Sequence, residues 1–524
     1  MTLVAGADFG TLSVRVTIME TSTGEIVGSA VSEYPLKRSP DDPLRAQQSH
    51  SDHMNALVRA MHSACQANGI NGHAIAAFAA DTTGSSVVMV DEFLRPLDDY
   101  YLWCDHRAHA EATTITERAY KEDLEALKWC GGIYSHEWGY AKLLHFLRHH
   151  PDKRDHFYTA LEHCDMLVAT LCGLTTRDVL PRSICAMGHK WMWGEAWGGL
   201  PSQDFLSRID PLFDGINEKL GGRYGLATEV AGQLTPEWAR KLGLKPGIPI
   251  PFGAFDSHWD AIGSGCRAGD VVNVVGTSTC IIALGSDAIS PVPGICGAVP
   301  GSVIPGALGV EAGQSATGDI FDAIARRAGT PVAALCEGLE VRRPGQTGLL
   351  RLVWDNGDRT VLVRSDLAGI TLGWDLAHTA ADEMHAALEG MAMHVRLIHD
   401  RMSEHGLTIR RIINAGGIPQ KNRALNQIYA DMLGSEVHVP TRSPTGVGAC
   451  IFAAMAAGLF GNIEDAQAIL CPPSTAIAPN PSNREACDRL YMLFQELYFG
   501  FGEGRPVDLA SILPRLRALR LAHN

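Results

Sequence analysis

The chain repeats one local pattern in its two halves: a strand-like run, a tight turn of small polar residues and a second strand-like run. In the first half, residues 3–7 are apolar, residues 14–19 alternate, and Asp8-Phe9-Gly10-Thr11-Leu12-Ser13 lies between them. In the second half, residues 270–275 and 280–284 flank Gly276-Thr277-Ser278-Thr279. Gly10 and Gly276 are 266 residues apart, about half of the 524-residue chain. Gly-Thr is common enough to match by chance, so two related hairpins are one interpretation and coincidence is the other.

Length and composition narrow the class of protein. A chain of 524 residues predicts two to four domains. The formal net charge is −14, and no dense basic run is present, which argues against a nucleic-acid scaffold. The uncharged stretch 446–461 is too short for a membrane span, so we expect a buried helix there and no membrane partner. No charged-then-apolar leader opens the chain, so secretion is not expected.

The cysteine pattern points to a reducing compartment. The 13 cysteines are scattered singly, and no two have the spacing of a CxxC motif. This is typical of reduced thiols and not of a disulfide scaffold or a zinc ribbon. We therefore expect a cytoplasmic protein.

Hydrophobic periodicity predicts alternating helices and strands, as in α/β proteins. The predicted helices cover 51–67, 105–128, 138–149, 380–401, 421–433, 447–459 and 485–498. Besides the hairpins, strands are predicted at 25–34, 74–80, 410–414 and 436–440. Residues 472–481 form a connector.

Both small-residue turns are suited to binding phosphate, because their backbone N–H groups have no bulky side chain in the way. Asp8, at the mouth of the first turn, would repel phosphate unless a cation lay between them. It is therefore a candidate Mg²⁺ partner, through bound water. A purely structural turn-capping role explains Asp8 equally well.

Asp256 is a candidate general base. It lies in Phe252-Gly253-Ala254-Phe255-Asp256-Ser257-His258, just before the second hairpin. A carboxylate there could accept the proton of a hydroxyl that attacks a phosphoryl group. A buried, hydrogen-bonded structural aspartate is the equal alternative.

Other nucleotide and metal signatures are absent or weak. The chain has no Gly-Lys pair and no GxSxG, which excludes a Walker P-loop and that hydrolase signature. His145, His149 and His150 include an i,i+4 pair that could ligate a metal. Because they precede Pro151 at the polar end of a helix, the pattern favours a solvated helix end.

The motifs, taken together and in order, resemble those of the FGGY carbohydrate kinases. The shared segments are Asp8-Phe9-Gly10-Thr11, Asp81-Thr82-Thr83-Gly84-Ser85, Gly131-Gly132-Ile133-Tyr134-Ser135-His136-Glu137-Trp138, Gly188-His189-Lys190, Gly253-Ala254-Phe255-Asp256, Gly276-Thr277-Ser278-Thr279, Glu311-Ala312-Gly313-Gln314-Ser315-Ala316 and Asn414-Ala415-Gly416-Gly417. They run from about residue 3 to residue 500. Such an ordered series favours duplication over a chance repeat. The stretch 336–353 looks shorter than in similar enzymes, so the resemblance does not predict lid or oligomer contacts there.

The resemblance implies an α/β fold of two actin-like (ribonuclease-H-like) domains with an interdomain cleft. Residues 1–246 would form the N-terminal, sugar-binding domain and residues 247–470 the C-terminal, ATP-binding domain, followed by a connector and helix at 471–524.

The resemblance also implies a set of site residues. Asp256 would be the catalytic base, and Gly84, Lys190, Asp256 and Glu311 would line a ketopentose. Gly10, Thr11, Gly276 and Thr277 would face the phosphates, Gly416 and Gly417 the adenosine, and Asp8 the Mg²⁺.

The implied activity is ATP-dependent phosphorylation of a ketopentose, with L-ribulose to L-ribulose 5-phosphate, in L-arabinose catabolism, as the first candidate. The alternatives are a kinase for D-ribulose, ribitol, L-xylulose or another pentulose or pentitol, and a non-catalytic actin-like ATPase or sugar sensor. The expected partners are the sugar and ATP, with Mg²⁺ as cofactor. A homodimer is an open alternative, since sequence does not give the oligomeric state.

Overall fold

The protein folds as two compact units, and each unit is assembled from separate stretches of chain. The computed structural model describes residues 2–285 and 289–521. Unit 1 comprises residues 1–267, 297–309 and 444–471, and unit 2 comprises residues 268–296, 310–443 and 472–524.

The strands, in chain order, are β1 (Leu3–Phe9), β2 (Ser13–Glu20), β3 (Ile26–Glu33), β4 (Lys37–Ser39), β5 (Asp42–Gln48), β6 (Ile75–Thr82), β7 (Val87–Val90), β8 (Tyr100–Tyr101), β9 (Thr159–Glu162), β10 (Pro181–Ser183), β11 (Arg223–Gly225), β12 (Val230–Gln233), β13 (Pro249–Pro251), β14 (Ala254–Phe255), β15 (Asp270–Val275), β16 (Thr279–Gly285), β17 (Gly297–Pro300), β18 (Leu308–Gln314), β19 (Leu350–Leu352), β20 (Ile370–Leu372), β21 (Arg411–Ala415), β22 (Val437–Pro440) and β23 (Ser474–Ile477).

The α-helices are α1 (His50–Gln66), α2 (His109–Lys121), α3 (Glu125–Trp129), α4 (Gly139–His149), α5 (His163–Cys172), α6 (Ile184–Trp191), α7 (Gln203–Ile209), α8 (Ile216–Lys219), α9 (Pro236–Leu242), α10 (Asp256–Gly263), α11 (Gly318–Ala328), α12 (Val332–Leu335), α13 (Ala380–Glu404), α14 (Arg423–Leu433), α15 (Val447–Ala456), α16 (Ile463–Leu470), α17 (Arg484–Glu503) and α18 (Leu509–Leu521).

The main sheet of unit 1 is built around the first hairpin. Its strand order is β14-β6-β1-β2-β3, in which β1 and β2 are antiparallel and β6 runs parallel to both β1 and β14. A second sheet has the order β4-β5-β8-β7-β9. Helix α1 covers β2 and β3 and begins at Ser49, whose hydroxyl accepts the Asp52 N–H at 3.1 Å.

Unit 2 repeats this arrangement around the second hairpin. Strands β15 and β16 are antiparallel, and β21 runs parallel to β15 as β6 does to β1. Strands β22 and β23 extend the sheet beyond β21. The long helix α13, which begins with a capping box at Thr379 and Asp382, packs against α11 and α14. The predicted duplication therefore exists in the backbone.

Helix α15 is buried, as predicted for the uncharged stretch, but it belongs to unit 1. It packs on β1 and β6, and glycines permit the close approach. A Cβ on Gly6 would lie 2.6 Å from the Cβ of Ala449, and a Cβ on Gly448 would lie 1.9 Å from the carbonyl oxygen of Trp259. With contacts this short, a side chain at either position would force the neighbouring backbone to shift.

The observed division differs from the predicted boundary after residue 246. Strand β14 pairs with β6, and α10 packs against α15, so residues 247–267 and 444–471 lie in unit 1. The prediction assigned these stretches by chain order. Residues 472–521, which we expected to follow the second domain as a connector and a helix, form β23, α17 and α18 within unit 2.

Most predicted elements are confirmed, with shifts of a few residues at their ends. The long helix predicted over 105–128 is instead two helices, α2 and α3, because the chain turns at Asp123 with a φ of 49°. No helix within the described residues has the length and apolarity needed to cross a bilayer. All 13 cysteines are free thiols.

We expect Gly448→Ala to destabilise the fold although alanine is the better helix former. The added methyl group would meet the Trp259 carbonyl, and overpacking of this kind costs about 1–3 kcal/mol. Urea unfolding followed by circular dichroism measures the change in midpoint. Gly461→Ala is the matched control, since nothing lies within 4 Å of its Cβ position. A midpoint for Gly448→Ala equal to that of the control would contradict this account of the packing.

Candidate active site

The first turn is held rigidly by hydrogen bonds from three side chains. The Gly10 N–H donates to the Ser13 carbonyl at 3.0 Å, which closes the turn between β1 and β2. The Tyr34 hydroxyl donates to the Gly10 carbonyl at 2.5 Å. Gln48 Nε2 donates to the Thr11 carbonyl at 2.7 Å, and Trp103 Nε1 donates to the Thr11 hydroxyl at 3.1 Å. The backbone of Gly10 and Thr11 is therefore preorganised.

Three neighbouring parallel strands bring four carboxylates together beside this turn. Asp8 on β1 lies opposite Asp81 on β6, and Asp81 lies opposite Ala254 on β14. Two residues beyond Ala254, Asp256 begins helix α10, and Asp260 follows one turn later on the same face. The register of the sheet thus places Asp8, Asp81, Asp256 and Asp260 in one cluster.

The pKa values of these carboxyl groups reflect burial and mutual repulsion. Burial raises the pKa of Asp81 well above its usual value, and the charges of Asp8, Asp260 and Asp256 raise it further. Burial likewise raises the pKa of Asp260, again with help from Asp8 and Asp256. Burial also raises the pKa of Asp8, although a hydrogen bond with Asp81 and the charge of Arg15 oppose the rise. The carboxyl groups of this cluster therefore resist being ionised together.

The donor set fits a hard divalent cation. Carboxylate oxygens and water are the ligands that Mg²⁺ prefers. Asp81 Oδ1 is buried and has no hydrogen-bond partner among residues 2–285 and 289–521. A cation beside Asp8 and Asp81 would offset both the repulsion and this unsatisfied oxygen.

Gly84 and Lys190 meet at a single aromatic ring, that of Phe255. A Cβ on Gly84 would lie 2.1 Å from Phe255 Cδ1, so the glycine is needed for this ring to pack. The Lys190 Nζ lies 5.5 Å from the centre of the same ring and 5.4 Å from that of Trp138. Asp256 is the next residue after Phe255. Phe255 therefore fills the space over the α-carbon of Gly84.

The loop that carries Gly84 is fixed from below by two buried charged residues that sequence analysis did not single out. Lys142 Nζ donates to the carbonyls of Ser85 and Leu102, each at 2.7 Å, and burial lowers its pKa to about 8. Glu162 accepts the Ser85 hydroxyl at 2.5 Å and the Ser86 N–H at 3.0 Å. Both residues are far from Gly84 in the sequence, so no local motif connects them with this loop.

The second turn, in unit 2, also joins two antiparallel strands, but its closing hydrogen bond spans one residue fewer than that of the first. The Gly276 N–H donates to the Ser278 carbonyl at 2.9 Å. The N–H groups of Thr317 and Gly318, where α11 begins, donate to the Thr277 and Gly276 carbonyls at 2.8 and 3.0 Å. The turn is thereby joined directly to the start of helix α11.

A chain of buried asparagine side chains holds the loop after β21. Asn273 donates to Asn414 at 2.9 Å, Asn414 to Asn426 at 3.2 Å, and Asn426 to the Pro419 carbonyl at 2.7 Å. Gly416 in this loop has a φ of +95°, and a Cβ there would lie 2.5 Å from the Val275 carbonyl oxygen. Gly416 is therefore required by the backbone itself.

A cavity of about 900 Å³ opens beside this turn and this loop. Gly276, Thr277 and Gly417 line one part of it, and α11, α12 and the start of α14 line the rest. Nothing lies within 4 Å of a Cβ placed on Gly417, so this residue faces open space. The volume is within the usual range for small-molecule sites.

The structure thus divides the predicted site residues between the units. Unit 1 holds Asp8, Gly10, Thr11, Gly84, Lys190 and Asp256, and unit 2 holds Gly276, Thr277, Glu311, Gly416 and Gly417. Glu311 is buried on β18, where its carbonyl accepts the Cys296 N–H at 2.8 Å. The places of Asp81 and Asp260 in the carboxylate cluster were not predicted, although Asp81 directly follows the predicted strand 74–80 and Asp260 follows Asp256 at helical spacing.

Comparison with known proteins identifies the family. The model of the FGGY carbohydrate kinase N-terminal domain matches residues 3–189, and that of the C-terminal domain matches residues 271–457. The ribulokinase of Vibrio parahaemolyticus is 32% identical over 94% of this chain and 95% of its own. The ribulokinase of Geobacillus thermodenitrificans is 34% identical over 96% of this chain and 95% of its own. The chain belongs to the FGGY family of carbohydrate kinases.

Solved structures agree with this fold. The xylulose kinase of Rhodospirillum rubrum superposes with a TM-score of 0.80 at 22% identity, over 96% of this chain and 100% of that one. The glycerol kinase of Plasmodium falciparum with ADP gives a TM-score of 0.80 at 15% identity, over 95% of this chain and 98% of that one. The predicted two-domain α/β fold of FGGY kinases is confirmed.

We expect Asp81→Asn to raise the melting temperature in EDTA at about pH 8, by about 2 °C or more. The pKa of Asp81 is higher in the folded state than in the unfolded chain. As the pH rises from the unfolded-state pKa to the folded-state pKa, ionisation of Asp81 therefore opposes folding more and more. At about pH 4 the difference should shrink, because the carboxyl group of the folded parent is then protonated. Circular dichroism melts at both pH values, with and without Mg²⁺, measure this.

The same melting experiments also test the proposed metal site. Mg²⁺ should stabilise the parent more than the variant, because the variant lacks one anionic ligand. Asp178→Asn, at an exposed position in unit 1, is the matched control and should show neither effect. A pH dependence identical in parent and Asp81→Asn would remove the electrostatic argument for a cation here.

Proposed function

We propose that this protein transfers the γ-phosphoryl group of ATP to the terminal hydroxyl of L-ribulose. The observation that carries the proposal is that Gly84 and Lys190 meet at the ring of Phe255, directly before Asp256 of the carboxylate cluster. These are the positions that resemblance to ketopentose kinases assigns to the sugar. The ribulokinases that match nearly the whole chain support the choice of L-ribulose.

Asp256 is the proposed general base. Its place at the start of α10, at the edge of the carboxylate cluster, supports this role. It would accept the proton of the sugar hydroxyl as the hydroxyl oxygen attacks the γ-phosphorus. The new O–P bond forms while the bond to the β-phosphate oxygen breaks, and ADP leaves. General-base assistance of this kind contributes about 10²- to 10⁴-fold in rate.

The nucleotide is proposed to occupy the cavity of unit 2. Thr277 would present its backbone N–H to the phosphates, Gly276 would let them approach the turn closely, and Gly417 would allow the close approach of the adenosine. Gly416, required by its own backbone conformation, would act through the shape of the loop. The proposed phosphate role of Gly10 and Thr11 is supported by the rigid hydrogen bonding of their turn.

Asp8 and Asp81 are the proposed partners of Mg²⁺, held through water. When bound, the ion neutralises phosphate charge. The contribution of this chain is to keep the two carboxylates opposite each other on β1 and β6.

Substrate selection is proposed to depend on Lys190 and Glu311, a donor and an acceptor suited to a polyhydroxylated chain. An epimer that leaves one buried polar group unsatisfied loses about 1–3 kcal/mol. This corresponds to about one to two decades in kcat/KM.

The cytoplasmic location and the homodimer remain predictions. Light scattering on the purified protein measures the oligomeric state.

We expect Asp256→Asn to lower kcat by about 10²-fold or more while ATP affinity stays within a few-fold of the parent. The loss of the base, rather than of binding, accounts for this pattern. Asp260→Asn is the comparison variant, because it removes one carboxyl group from the same helix face and leaves the base in place. Steady-state kinetics and ATP titration calorimetry supply the measurements. Turnover of Asp256→Asn close to that of the parent would exclude Asp256 as the base.

A coupled assay for ADP release tests the substrate. We expect the highest kcat/KM with L-ribulose, weaker activity with D-ribulose, L-xylulose and ribitol, and none with aldohexoses. A higher kcat/KM with D-ribulose or ribitol would overturn the choice of sugar. ATP turnover that no sugar stimulates would instead favour a sensor or an ATPase.

A further inference from the structure

A buried carboxylate faces the histidine pair of helix α4, away from the residues discussed so far. The i,i+4 pair His145 and His149 was expected to be a solvated helix end. In the structure His149 is exposed, but the side chain of His145 is only 12% exposed and faces Glu111 from helix α2, which is 4% exposed. The pair therefore has a third potential ligand on a neighbouring helix.

The three side chains have the spacing of a metal site. His145 Nδ1 lies 3.4 Å from Glu111 Oε2, and the rings of His145 and His149 have their centres 4.2 Å apart. One ligand atom from each of the three residues lies within 4.8 Å of the other two. Two ligands of a tetrahedral Zn²⁺ ion are separated by about 3.4 Å, since Zn–N and Zn–O distances are about 2.1 Å.

The second carboxylate oxygen of Glu111 is already held. Arg148 Nη1 contacts Glu111 Oε1 at 3.2 Å, and the same guanidinium group binds Asp210 with two nitrogens, at 3.0 and 2.9 Å. Arg148 therefore orients Glu111 so that Oε2 points to the histidines. Because Asp210 balances the charge of Arg148, the charge of Glu111 remains available to a cation.

One nitrogen of the pair is open to a metal ion. Apart from its contact with Glu111, His145 Nδ1 has no hydrogen-bond partner among the described residues. Its 3.4 Å distance from Glu111 Oε2 is that between two ligands of one zinc ion.

We propose that Glu111, His145 and His149 bind one Zn²⁺ ion that joins helices α2 and α4. Two imidazoles and one carboxylate are a common zinc donor set. Exposed His149 provides the entry path, and water would complete the coordination there. The ion would stabilise unit 1 by joining two helices that carry its ligands on separate stretches of chain.

Equilibrium dialysis of the full-length protein against Zn²⁺ alone, without sugar or nucleotide, tests the proposal. We expect His149→Ala to weaken the affinity of one site by about 100-fold or more. Because His149 is exposed, this variant should fold normally, and it carries the test if Glu111→Gln proves unstable. His156→Ala, an exposed histidine nearby, is the matched control and should bind zinc as the parent does.

A second variant separates this site from another histidine cluster. His106, His136 and Glu137 also lie within metal-ligand distance of one another. His136→Ala should therefore leave the proposed site intact, together with the rise in melting temperature that Zn²⁺ causes through it. Zinc affinity and thermal stabilisation unchanged in His149→Ala would overturn the proposal. Loss of both effects in His136→Ala alone would overturn it as well, by assigning the ion to the other cluster.

Discussion

The parallel pairing of β6 with β1 on one side and β14 on the other is the constraint on which unit 1 depends. This register places Asp8 beside Asp81 and brings the start of α10, with Asp256, to the same end of the sheet. The arrangement collects negative charge in surroundings of low polarity, which raises the pKa of Asp81 and Asp260. Such a cluster opposes folding, so its presence is better explained by the chemistry it serves than by stability.

The rest of the unit holds this cluster in place. Tyr34, Gln48 and Trp103 fix the turn after β1, while Lys142 and Glu162 fix the loop after β6. Helix α15 packs tightly against the back of β1 and β6. Unit 2 uses a different device for the corresponding task, a chain of asparagine side chains that links β15, β21 and α14.

Local pattern predicted most elements of the fold because periodicity and turn composition are local properties. The two hairpins and α1, α13, α14 and α15 all lie where the sequence indicates. The domain boundary was predicted by chain order and differs, because the pairing of β14 with β6 and the packing of α15 are non-local. Similarly, Asp256 was identified from its motif, but its membership in a four-carboxylate cluster was not, because Asp8 and Asp81 are distant in the chain.

The sequence by itself determined the family, the repeated hairpin and the residue types of the candidate site. Ordered motifs and short-range spacing can be read directly from the linear sequence. Only the tertiary structure decided which carboxylates share one cluster, why Gly84 and Gly416 must be glycine, and that His145 faces Glu111. These properties depend on strand register and helix packing, which bring together residues that no local spacing connects. The pKa values of the carboxyl groups depend in turn on burial, and burial is decided by the packing of the whole fold.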